Sequence, residues 1–238
     1  MKSLDLFSCI GCHAIGFARA GIETVAFCEI NPFRRAVIAR HFPGLPIHDD
    51  VRTLDARRVD IVIGGPPCQS TSVAAAIHGY RDSSSLWPYM LHLGLLCGAE
   101  WIVVEQPPGN EPWEAEVGCS LSNAGRHVAR FEFGACDVGA PYLRRRVFLV
   151  ACTSLPRLEI ARSALPSAIE QVARAADARG DWDPGQLAAL RVDARSAGEM
   201  ERSESRHRRE RIEALGDSNP PHMAEVIGRA IMAAESIP

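Results

Sequence analysis

A cysteine at the tip of a stiff turn is the first feature of this sequence that could do chemistry. In Gly64-Gly65-Pro66-Pro67-Cys68-Gln69, two glycines and two prolines fix a sharp turn and present the Cys68 thiol at its end. A nucleophilic cysteine needs such exposure and a neighbourhood that favours thiolate. Taken alone, the turn fits a buried structural cysteine equally well. Four other turns carry unusual residues in sequence order: Cys9–Gly11, then Glu29, then Asp50, then Glu105-Gln106-Pro107. Each lies at or near the end of a strand-like segment, where open parallel sheets bind their ligands. One such turn is a weak signal, whereas the whole series describes a site.

The elements that must hold these turns alternate along the chain. Segments 3–8, 23–28, 59–63 and 101–105 read as buried strands, and Ile47 leads into the turn at Asp49-Asp50-Val51. Helical stretches fall at 13–20, after Asn31-Pro32, and at 86–97; Asn31 suits a helix cap and Pro32 the first helical position. Residues 130–137 and 146–152 read as consecutive strands joined at Gly139-Ala140-Pro141, too close for a crossover helix, which predicts an antiparallel hairpin at one edge. The fold class is therefore α/β with a mostly parallel sheet. From Ser154 to about Arg211 the chain is rich in Ala, Arg and Glu and broken at Leu165-Pro166 and Asp183-Pro184-Gly185, predicting short helices and exposed turns. Apolar residues return from Ile212, with a helix over 224–233. The expected organisation is a main domain over 1–153, a small helical or irregular insertion over 154–211, and a return to the main domain over 212–238.

Composition narrows the function classes. Apolar residues make up 47% and charged residues 23% of 238, an ordinary soluble balance. No apolar run approaches the roughly 20 residues of a membrane span, and Met1–Asp5 enters a strand without a targeting signal. A net charge of −3 means that any nucleic-acid surface is a local basic patch. Most of the eight cysteines sit in apolar segments, as Cys28, Cys97, Cys136 and Cys152 do, so a reducing cytoplasm fits better than a disulfide framework. Cys9-x-x-Cys12 lacks a second Cys/His pair at zinc-site spacing, so no metal is expected.

The motifs together resemble those of cytosine-C5 DNA methyltransferases. Asp5-Leu6-Phe7-Ser8-Cys9-Ile10-Gly11, Gly65-Pro66-Pro67-Cys68-Gln69, Val104-Glu105 and Pro141-Tyr142-Leu143-Arg144-Arg145-Arg146-Val147 stand in that family's order, and Leu215-Gly216-Asp217-Ser218-Asn219-Pro220 resembles its last motif. The resemblance covers 1–152 and roughly 211–238. It implies a Rossmann-like sheet that binds S-adenosylmethionine, and double-stranded DNA with a flipped cytosine as substrate. Cys68 then corresponds to the nucleophile that adds to C6, and Glu105 to the carboxyl group that shares a proton at N3 and N4, a role needing a raised pKa. Arg144 and Arg146 match the arginines that hold the base. On the donor side, Phe7 would lie against adenine and Gly11 would allow close backbone approach. Glu29 would bind ribose hydroxyls and Asp50 the adenine amino group, with Val51, Pro66, Asp217 and Ser218 completing the donor pocket. Residues 69–85 would form a mobile loop closing over DNA, with Gln69, Ser72 and Arg81 as contacts.

Several positions depart from the family pattern. Cys9 and Cys12 replace glycines, Gln106-Pro107 stands where Asn-Val is usual, and Tyr142 where Gln is usual. Asp217 replaces an Asn near the donor's amino-acid end, either repelling its carboxylate or binding its ammonium group. The insertion over 154–211 holds eleven Arg and ten acidic residues, and its dense cluster is Arg202, Arg206, Arg208, Arg209 and Arg211. Phosphate contacts there, through Arg206, Arg208 and Arg209 above all, compete with the reading of a salt-bridged surface helix. Two alternatives stand beside DNA methylation: a tRNA cytosine methyltransferase with the same motifs, and a non-catalytic DNA-binding relative. The size suits a monomeric enzyme of a bacterium or phage, with or without a restriction partner.

Overall fold

The computed structural model describes residues 1–55, 57–67, 85–182 and 204–236, and for 204–209 only the backbone course. Its frame is a seven-stranded sheet in the order β3-β2-β1-β4-β5-β7-β6. The strands are β1 (Lys2–Leu6), β2 (Glu23–Cys28), β3 (Ile47–His48), β4 (Ile61–Gly64), β5 (Trp101–Gln106), β6 (His127–Gly134) and β7 (Arg145–Cys152). The first five run parallel, and β7 runs antiparallel to both β5 and β6. The hairpin expected from the short connection is present, with β6 at the edge and β7 slotted inside it.

Seven α-helices among the described residues cover the sheet: α1 (Cys12–Arg19), α2 (Pro32–His41), α3 (Trp87–Leu96), α4 (Glu111–Asn123), α5 (Leu155–Arg179), α6 (Glu204–Asp217) and α7 (Pro221–Glu235). Strand alternation sorts the core into two faces. Ile61, Ile63, Trp101 and Val103 pack with Phe17 of α1, Leu158 and Val172 of α5, and Ile227 and Ile231 of α7. On the other face, Leu4, Leu6, Val62, Ile102 and Val104 pack with Trp87 and Met90 of α3 and Trp113 and Val117 of α4. Asn31 caps α2 as its sequence predicted, its Oδ1 accepting from the N–H groups of Phe33 at 2.9 Å and Arg34 at 3.2 Å.

Three stretches differ from the sequence expectation. Helix α4 fills a region with no predicted element, although Trp113, Val117 and Leu121 recur at helical spacing and all are buried. Helix α5 is a single element of 25 residues where short helices were expected, and it continues through Pro166. Proline removes one backbone bond from an isolated helix; here burial of Leu158, Ala161, Ala168, Val172 and Ala176 outweighs that loss. At the start of the C-terminal return, Ile212 and Leu215 are 61% and 64% exposed, so the apolar face begins later, at Ala214 and in α7. Among the described residues, no helix is long and apolar enough to cross a membrane.

Candidate active site

Beyond the carboxyl ends of β1, β4 and β5 lies a cavity of about 30 Å³. Phe7, Ser8, Cys9, Cys12 and His13 bound it from the turn into α1, Gly65 and Glu105 from the ends of β4 and β5, and Asp217, Ser218 and Asn219 from the end of α6. Backbone strain gathers here. The non-glycine residues with positive φ among the described ones are Phe7 (54°), Cys9 (51°) and Arg144 (31°), and such conformations cost about 1–2 kcal/mol each. Gly11 has φ 83°, and a Cβ there would stand 2.7 Å from Phe42 Cε2. Strain held at one place by surrounding packing is a common mark of a ligand site.

Glu105 is the buried acid of the cavity, 8% exposed. Arg146 Nε lies 2.7 Å from its Oε1 as an ion pair. Burial pushes the Glu105 carboxyl above the ordinary glutamate range, while the charges of His13, Arg146 and Arg144 pull the other way without cancelling it. A Cβ on Gly65 would come within 2.9 Å of Glu105 Oε2, so the turn that leads to Cys68 starts against this carboxylate. Arg144 reaches across to the last motif, its Nη2 donating to Gly216 O at 2.6 Å and to Ser218 O. Tyr142 stands edge-on to Trp182, ring centres 6.0 Å apart.

Toward β2, the Glu29 carboxylate accepts the N–H groups of Cys9 and Asn31, each at 2.8 Å, joining the turns after β1 and β2. Asp50 is clasped by Arg52: Nε donates to its two oxygens at 2.9 and 3.0 Å, and Nη2 to Oδ2 at 2.6 Å. These bonds hold its carboxyl down at about 2. Val51 is buried beside it, and Pro66 is buried at the end of β4. Asp217, the departure from the family's Asn, pairs with Arg34 of α2, so its charge is compensated by a residue that sequence reasoning passed over. Both amide atoms of Asn219 are buried without a partner among the described residues. Burial pushes the Cys9 thiol to about 12 and that of Cys12 to about 11, so both stay protonated near neutral pH. Among the described residues, no three His, Cys, Asp or Glu side chains group as a metal site would require.

The structure thus brings together Phe7, Gly11, Glu29, Glu105, Arg144, Arg146, Asp217 and Ser218. Cys68, Gln69, Ser72 and Arg81 lie outside the described residues, as do Arg202 and the predicted loop over 69–85 apart from Ser85. Arg206, Arg208 and Arg209 belong to α6, with their backbone alone described.

The turn after β1 and the turn after β4 fall within one sequence profile: residues 1–98 match that of the C-5 cytosine-specific DNA methylases. Type II methyltransferase M2.BsuMI of Bacillus subtilis is 38% identical over 162 residues, covering 63% of this chain and 42% of its own length. M1.HphI of Haemophilus parahaemolyticus is 29% identical over 165 residues, covering 62% and 44%. The chain therefore spans less than half the length of these two relatives. DNMT2 of Spodoptera frugiperda superposes with a TM-score of 0.55 at 23% identity, over 65% of this chain and 50% of that one. At that identity the likeness speaks for the fold, a methylase-type α/β sheet. The residues that sequence reasoning missed are His13 and Arg34; Asn219 stood in the last motif without a role of its own. His13 was legible as a titratable side chain opening the helix after the first turn; Arg34 carries no local signal.

Proposed function

We propose that this protein transfers a methyl group from S-adenosylmethionine to C5 of cytosine in double-stranded DNA, through a covalent bond between Cys68 and C6. The observation that carries this reading is the contact between Gly65, at the root of the Cys68 turn, and the buried Glu105–Arg146 pair.

The residues present suit the donor. Gly11 leaves no room for a side chain, Phe7 is turned onto the cavity wall by its positive φ, and the unpartnered amide of Asn219 is available to a polar ligand. Phe7 would hold the adenine ring, Glu29 the ribose hydroxyls, and Asp50 with Val51 the adenine edge, while Pro66, Asp217 and Ser218 would hold the amino-acid end. When bound, S-adenosylmethionine supplies an electrophilic methyl group.

The chain's own residues do the rest. C5 of cytosine is a weak nucleophile, and addition of the Cys68 thiolate to C6 turns C5 into an enamine-like carbon. Charge then builds on the ring, and Glu105, whose carboxyl burial holds above the ordinary glutamate range, relieves it by sharing a proton at N3. Arg144 and Arg146 hold the base and favour the thiolate. A base takes the C5 proton before Cys68 leaves. The cytosine must leave the duplex stack to enter such a site. Gln69, Ser72, Arg81, Arg206, Arg208 and Arg209 are the proposed DNA contacts, on a monomer working in the cytoplasm. The insertion over 154–211 serves target recognition between a main domain over 1–153 and its return over 212–238.

Bisulfite sequencing of DNA from cells expressing the full chain tests the reaction and reads the target. Protected cytosines in a fixed context are expected, together with a covalent adduct on duplex DNA containing 5-fluorocytosine. Cys68→Ala should abolish both, lowering methyl transfer by on the order of 10³-fold or more. Full conversion of every cytosine and no adduct would overturn the proposal.

A further inference from the structure

Helix α1 places a second titratable group behind Glu105, one for which the proposed reaction has no role so far. Parallel register sets Asp5 beside Ile63 and Ile63 beside Val103, on the sheet face that α1 covers. Glu105 lies two residues beyond Val103 and so points to that same face. His13, in the first turn of α1, drops between them. Its Nδ1 is 3.2 Å from Asp5 Oδ1, and Asp5 is fully buried. Its Nε2 is buried with no partner among the described residues, and its ring bounds the small cavity that Glu105 also bounds.

We propose that Asp5 and His13 form a buried proton-holding pair behind Glu105, so that His13 acts as a positioning residue deciding when the Glu105 carboxyl carries its proton. The inference rests on the reading of Glu105 as the proton-sharing acid. An unpaired buried imidazole nitrogen is costly, and a carboxyl group across a cavity about the size of one water is a partner of the right chemistry. The charged groups acting on His13 are Asp5 from β1 and Glu105 from β5; Cys12 of its own helix and Asp217 and Ser218 at the end of α6 bound the same cavity, and Arg146 and Arg144 act on Glu105. Burial works to strip the His13 proton, but the Asp5 carboxylate, with a smaller contribution from Glu105, holds it above the ordinary imidazole range. A protonated His13 in turn opposes the burial that raises Glu105. Without His13, Glu105 would hold its proton more tightly and exchange it less readily with the base.

The test titrates both groups in the full chain without substrate. Carbon NMR of the Glu105 carboxyl, assigned by its loss in Glu105→Gln, should show its midpoint rising by about one pH unit in His13→Gln. Asp5→Asn, which keeps the imidazole but removes the anion that charges it, should move the midpoint the same way. Conversely, the His13 ring should titrate lower in Glu105→Gln than in the wild type, a comparison that leaves His13 itself intact. The alkaline limb of kcat should follow the carboxyl midpoint, with KM for DNA unchanged. A Glu105 midpoint unmoved in a folded His13→Gln or Asp5→Asn, or a His13 midpoint unmoved in Glu105→Gln, overturns the pairing. Absence of methyl transfer from every variant and from the wild type strikes the proposed reaction instead, because the midpoints are read without it.

Discussion

Glu105 is the proposed proton-sharing acid because three conditions meet on one side chain: burial, an arginine partner and closeness to the turn that leads to Cys68. Replacement by Gln keeps the shape and removes the proton. Methyl transfer is expected to fall by about 10²–10⁴-fold, the usual range for a general acid, as measured by single-turnover kinetics. Its effect on stability depends on pH, and the sign follows from the raised pKa. The unfolded chain ionises Glu105 once pH passes the ordinary glutamate value, whereas the folded state resists ionisation until higher pH. The folded state therefore loses stability across that window, and Gln escapes the loss. Thermal melts should show Glu105→Gln gaining on the wild type as pH rises above the ordinary glutamate value; a constant difference would mean that the fold does not raise the carboxyl. At this scale the sequence nominated Cys68, Glu105, Arg144 and Arg146 through the motifs they stand in, and the structure pairs Glu105 with Arg146. His13 and Arg34 did not, because their meaning lies in the partners that folding supplies.

Helices α1 and α7 cross through small residues, and the turn into α1 depends on that crossing. A Cβ on Gly16 would lie 2.1 Å from Pro221 O and 2.7 Å from Glu225 N, and one on Gly228 would meet Ala20 Cβ at 2.7 Å. Backbone cannot yield as a flexible side chain can, so Gly16→Ala should destabilise by about 2–3 kcal/mol despite the better helix propensity of Ala. Chemical denaturation reads this directly; a neutral or stabilising effect would mean that the helices part easily. Element identity was legible wherever hydrophobic spacing and a stop signal coincided, as for β2 and α2. It failed at α5, where Pro166 reads locally as a break and only the buried stripe from Leu158 to Ala176 carries the helix through.

Across the whole molecule, α5 and α7 are fastened by a polar clasp at the far end of α5. Asp181 Oδ2 accepts from His222 Nε2 at 2.7 Å and Arg179 Nε at 2.8 Å, and Trp182 packs on His222 at 4.4 Å while its Nε1 donates to Val138 O at 3.1 Å. Burial pushes the Asp181 carboxyl up, but the bonds from His222 and Arg179 outweigh it and hold it below the ordinary aspartate range. A depressed carboxyl stabilises the fold above its unfolded value and loses that contribution as pH falls through the folded one. Asp181→Asn should therefore cost about 1–2 kcal/mol at pH 7, with the gap closing below about pH 4, followed by Trp fluorescence. A gap independent of pH would sink this account.

What the sequence determined alone was the alternation of strands and helices, the edge hairpin and the order of the site motifs, because each is written in short-range spacing and turn chemistry. Tertiary structure alone decided which groups meet: Asp5 with His13 across a helix–sheet contact, Arg34 with Asp217, and Gly65 against Glu105. Those pairs join residues from 8 to 183 positions apart. Their encounter is fixed by strand register and helix packing, and burial then changes the charge of each group, which no local pattern records.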